Sequence, residues 1–172
     1  ENGFQICTHA IGDMANREVL NIYSKHLKEG NDYRFRIEHA QHIDLIDIPR
    51  FKNLGVIAAI QGIHMSSDRP WAIDRLGKQR ILDSAYPWQK LYQTGAMIIN
   101  GTDAPVEPID PLPSFYASVS RKTLNKTPEG GYEPGEKMSR ELALRTYTIN
   151  GAYAAFEEDI KGSIEVGKLA DF

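Results

Sequence analysis

Three short stretches carry side chains able to do chemistry: Thr8-His9-Ala10-Ile11-Gly12-Asp13, Arg36-Ile37-Glu38-His39-Ala40-Gln41 and Gly101-Thr102-Asp103-Ala104-Pro105-Val106. His9, His39 and Asp103 together make a donor set for a borderline divalent ion. Neutral imidazole and carboxylate suit zinc first, with iron, nickel or manganese as alternatives. Such an ion lowers the pKa of a coordinated water to about 7, and the Asp103 carboxylate could reach both ion and water and act as general base. His64, further along, is a candidate substrate contact. Each residue also has a plain structural reading. A single histidine is ordinarily a satisfied structural group, and Asp103 before Ala-Pro suits an Asx turn. His26 stands between Lys25 and Lys28 and reads as solvated; His42 reads as capping or surface, and Cys7 as a small apolar strand residue. Three donors at matching places are what favour the metal.

Those places are set by the elements around them. Residues 4–8, 33–38, 56–60 and 96–100 read as strands, the third, VIAAI, apolar enough to be buried on both faces. Helices are predicted over 14–29, 48–54, 78–93 with a break at Pro87, 112–123, 140–148 and 152–156. Asp13 and Asp47 are candidate caps, Gly55 suits the end of the second helix, and Ser139 suits the N-cap of the helix from Arg140. Residues 61–74 have no clean period and read as a long loop holding His64, with Trp71 and Trp88 expected to pack. Residues 124–137 read as a mobile loop or lid, and 164–172 as a last strand. In the second strand Phe35, Ile37 and His39 should alternate onto one face, with Arg36 and Glu38 on the other and Glu38 in a salt bridge. Strands alternating with helices predict an α/β chain of parallel βα units, and in such proteins chemistry collects at the C-terminal strand tips. His9, His39, Gln61 with His64, and Asp103 occupy four successive tips.

The 172 residues suffice for one domain, with 41% hydrophobic and 25% charged residues and a net charge of −3. That balance points to neither nucleic acid nor an anionic membrane surface as partner, and no apolar run is long enough to span a bilayer. One cysteine excludes an intrachain disulfide and fits a reducing, cytoplasmic compartment. The chain opens at Glu1, without Met, and closes on Leu169-Ala170-Asp171-Phe172. It reads as a piece of a longer protein.

The motifs THAIGD, RIEHAQ and GTDAPV, in this order, resemble the last three metal-site motifs of the amidohydrolase superfamily, in wording closest to its amidohydrolase-3 branch with the N-substituted formamide deformylases. The tail from Gly162 resembles the return of that family's chain to a small β-sandwich. The resemblance implies the C-terminal half of a metal-dependent hydrolase TIM barrel, its strands 5 to 8 over residues 1–161, with the sandwich return in 162–172. It implies His9 and His39 as metal ligands, and Asp103 as ligand and proton shuttle. It also implies one or two ions in the full-length protein, zinc first, and a small amide-type substrate. The family's His-x-His pair is absent from these residues. The chain alone is therefore expected to lack the missing N-terminal half of its site, to be inactive, and to hold little or no metal. A non-catalytic half-barrel or metal-binding scaffold that self-associates is the alternative.

Overall fold

The computed structural model describes residues 3–171. Its strands are β1 (Cys7–Ala10), β2 (Arg36–His39), β3 (Ile57–Ile60) and β4 (Ile98–Asn100). They pair in chain order, and every pair is parallel. Helices α1 (Asp13–Tyr23), α2 (Ile48–Leu54), α3 (Gly62–Ser84) and α4 (Trp88–Gln93) lie in the crossovers. After β4 come α5 (Pro111–Ser120), a 3-10 turn at Pro134–Glu136, α6 (Arg140–Tyr147) and α7 (Ile149–Ala154). Parallel neighbours require such crossovers, so the chain is α/β, built of parallel βα units. No helix among the described residues is long and apolar enough to cross a membrane.

The sheet has two unlike faces. Thr8 and Tyr23 of α1 share a hydroxyl hydrogen bond of 2.7 Å, and the Tyr23 and Phe35 rings lie 5.3 Å apart. Phe35 and Ile37 therefore face the helices, where Ile37, Val56, Ala58, Ile60 and Ile98 join one core. The other face carries Cys7, His9, Arg36 and Glu38, and Arg36 Nε donates to Glu38 at 2.6 Å. This departs from the expectation that Phe35, Ile37 and His39 share one face: the apolar pair goes to the helices that can bury it. His39 leaves the alternation of its strand because its φ is 76°, in the left-handed region, and its ring turns to His9.

Other expectations also change. Residues 61–74 are not a loop: α3 starts at Gly62 and kinks at Gly77. The first helix is N-capped by Gly12, and Asp13 within it pairs with Arg80 at 2.8 Å. Asp47 makes no cap bond and is held between Arg17 and Arg50. Trp88 is buried, but Trp71 is exposed. Residues 124–137 are tied down, with Leu124 N–H donating to Ser66 and Tyr132 N–H to the Arg121 carbonyl. No strand forms over 164–171; Phe172 lies outside the described residues. Gly55 ends α2 at φ 63°, and Ser139 Oγ accepts from Leu142 N–H at the start of α6, both as the sequence predicts.

Candidate metal centre

β2 delivers His39 at its last residue. The His39 Nδ1 lies 2.7 Å from Gln61 Oε1, and Gln61 Nε2 donates to the Ala59 carbonyl. That second bond orients the amide. An amide oxygen only accepts, so Nδ1 carries the proton of this bond, and in the neutral ring the lone pair is on Nε2.

His64 stands on the first turn of α3. It is buried, and its Nε2 has no hydrogen-bond partner. That nitrogen lies 3.7 Å from Asp103 Oδ2. Burial pushes the His64 pKa down, and the nearby His39 adds to this; Asp68, Asp103 and Glu107 pull the other way. The net shift is downward, toward the neutral form, which is the form of imidazole able to ligate a metal. Asp103 follows β4 at φ 59°, a left-handed backbone like that of His39. One donor atom each from His39, His64 and Asp103 lies within 4.8 Å of the others. Tetrahedral donors at roughly 2.0–2.2 Å from one ion lie about 3.3–3.6 Å apart, so the 3.7 Å pair of His64 and Asp103 nearly fits and the widest pair has to draw in. A buried nitrogen without a partner, a tautomer-locked imidazole and a carboxylate fit a divalent ion.

The structure thus brings His39 and Asp103 together and adds His64 to them. His9 stands beside the group rather than in it, exposed, its ring edge-on to His39 with centroids 4.5 Å apart.

Three residues that hold these side chains gave little warning in the sequence. Asn16 Nδ2 donates to the carbonyls of Ala10 (3.1 Å) and His42 (3.2 Å), joining the end of β1 to the segment that follows β2. Asn100 Oδ1 accepts from Gly62 N–H at 2.9 Å, while its Nδ2 donates to Ser118 Oγ of α5 at 3.0 Å. Gly62 has no room for a side chain: a Cβ there would stand 2.2 Å from Ser118 Oγ and 2.6 Å from the Ser114 carbonyl. The turn carrying His64 is thereby bolted to β4 and α5. An Asn near a strand tip and a Gly at a helix start were the available signals.

Comparison with known proteins bears on the same residues. The amidohydrolase family model matches residues 1–172. YtcJ of Bacillus subtilis (strain 168) is 36% identical over 172 residues, which is 100% of this chain and 32% of that protein. The N-substituted formamide deformylase of Arthrobacter pascens is 29% identical over 171 residues, 98% of this chain and 31% of that protein. An uncharacterized metal-dependent hydrolase of Pyrococcus furiosus superposes with a TM-score of 0.81 at 32% identity, over 98% of this chain and 32% of that one. The chain spans about a third of the length of these relatives. A family match over the whole sequence, on a sheet whose tips gather imidazoles and a carboxylate, leads to one conclusion: the chain belongs to the amidohydrolase family.

Proposed function

We propose that the protein containing this chain hydrolyses an amide-type C–N bond in a small molecule, such as an N-formyl or cyclic amide, with a divalent ion, zinc first. The observation that carries the reading is the partnerless buried His64 Nε2 facing Asp103 beside a His39 locked in one tautomer. His39, His64 and Asp103 would hold the ion, with His9 as a further donor at the edge of the group. When bound, the ion polarises the carbonyl and acidifies a water. Asp103 accepts the proton from that water as its oxygen bonds to the carbonyl carbon. It returns the proton to the nitrogen as the C–N bond breaks. Gln61 keeps His39 turned toward the group. We also propose that the four βα units are half of an eight-unit barrel.

The test uses the full-length protein, purified without chelator or histidine tag. Elemental analysis should find near-stoichiometric divalent metal. Asp103→Ala should cut turnover of N-formyl amides by roughly 10²–10⁴-fold. Near-normal turnover in that variant removes Asp103 as base; metal without any turnover favours a scaffold. His64→Ala decides between two roles: lost metal makes it a ligand, whereas kept metal with a raised KM makes it a substrate contact.

A second reading concerns the chain alone. The outer edges of β1 and β4 pair with no strand among the described residues, and Cys7 and His9 are exposed on the helix-free face. Two copies could join β4 to β1 in parallel at both seams and close a ring. Sedimentation at micromolar concentration should then show a dimer, and a monomer sinks this pairing.

A further inference from the structure

A cavity of about 440 Å³ opens beside the candidate metal centre. It is walled by the first turns of α3, by residues 123–127, by Tyr132 and by Glu107. None of the three donors lines it, but Ile63 precedes His64 in α3, Glu107 follows Asp103 by four residues, and Glu107 is close enough to act on the His64 ring through its charge. The size suits a small molecule. Its walls are fastened. Leu124 N–H donates to Ser66 Oγ at 3.0 Å, and Thr123 N–H donates to the Thr127 carbonyl at 2.7 Å. The Arg69 guanidinium lies 4.5 Å from the centre of the Tyr132 ring.

Two arginines and a lysine near this cavity have acidic partners. Arg69 and Arg121 both pair with Glu133, and Lys90 pairs with Glu136. Lys122 and Lys126 form no ion pair among the described residues, with Glu107 or with any other acid. Among the described residues Glu107 makes neither a side-chain hydrogen bond nor an ion pair, although it is partly buried. A carboxylate without a protein partner is free to accept charged hydrogen bonds from a cationic ligand. Ile63, Pro70 and Leu124 add apolar surface next to it. A ligand that suits both features has a short hydrocarbon stem and a cationic end.

We propose that this cavity binds the part of the substrate remote from the bond that breaks, and that the substrate is an amide bearing an ammonium group on a short alkyl chain, held by Glu107. The proposal rests on the hydrolase reading above and adds a substrate class to it. The test compares three probes on the full-length, metal-loaded protein: N-formyl-1,4-diaminobutane, N-formylpentylamine and 5-formamidopentanoate. The ammonium probe should have a kcat/KM at least tenfold above the neutral one. Glu107→Gln should bring that ratio near one with metal content unchanged, and Glu107→Lys should turn the preference to the anionic probe. Calorimetric binding of 1,4-diaminobutane gives a second readout that needs no turnover, and Glu107→Gln should weaken it at least tenfold. If no probe is turned over but the diamine binds through Glu107, the reading of the reaction fails and the cavity assignment stands. Ratios and diamine affinity that ignore both Glu107 substitutions overturn the assignment.

Discussion

If His39 holds an ion, as proposed, its imidazole has to keep a lone pair free and also hold still. Gln61 answers both needs by accepting from Nδ1. Removing such a partner typically costs about 10–100-fold in metal affinity. Gln61→Leu should therefore weaken metal binding by about that factor, measured by competition with a chelator, while Gln61→Glu, which still accepts, should retain most of it. Equal affinity in all three proteins would show that the bond does not orient the ligand. Three residues along, His42 is a different kind of histidine. It is 6% exposed, its Nδ1 has no partner, and its ring lies 5.3 Å from Tyr86. Burial lowers its pKa to about 4, against a pull from Asp13 and with help from Arg80 and Arg69. A folded-state pKa below the unfolded value near 6.5 means that protonation favours the unfolded chain. Stability from this group is complete above about pH 6.5 and falls as pH drops toward 4. From pH 7 to 5 the loss is about 2 kcal/mol. Denaturant titrations at the two pH values should show it, and His42→Phe should remove that share; an unchanged difference would clear His42 of the effect. Residue types made His9, His39 and Asp103 legible as candidates before any fold was known. The place of His64 among the donors was not legible, because it depends on a helix the sequence conceals.

That helix is α3. Its buried residues Ile63, His64, Met65, Ser66, Arg69 and Ala72 go round more than one side, because α3 packs against α5, the 120s loop and the candidate site. A helix buried on several sides shows no single apolar stripe. Gln61 makes no side-chain cap and Pro70 sits inside, so the usual signs of start and continuation are missing too. The strands were legible for the opposite reason: short apolar runs between turns have few other fates. Their faces were misread because alternation tells which residues share a side and not which side the helices will take. The seat of α3 on α5 gives a direct test. Gly62→Ala places a methyl where Ser118 Oγ and the Ser114 carbonyl already stand. Overpacking of this kind costs about 1–3 kcal/mol. Chemical denaturation should show that loss, and metal affinity should fall with it as the His64 turn shifts. Full stability in this variant would mean that the seat is looser than described.

Across the whole molecule, one side of the sheet serves the helices, and the other sets Arg36, Glu38 and His9 beside the buried Ile57 and Ala59 of β3. The fold class follows from the order of elements, but a sequence covering about a third of its relatives' length cannot show what stands opposite the charged side. The left-handed backbone at His39 and Asp103 has a wider consequence. In an ordinary strand, the parity of a position fixes whether its side chain belongs to the core, so changing the tip's chemistry risks disturbing the packing. Here the parity rule lapses at the rim. Natural variation or a designer can rewrite the residues at the rim while the lettering of the core stays as it is, without refolding the scaffold.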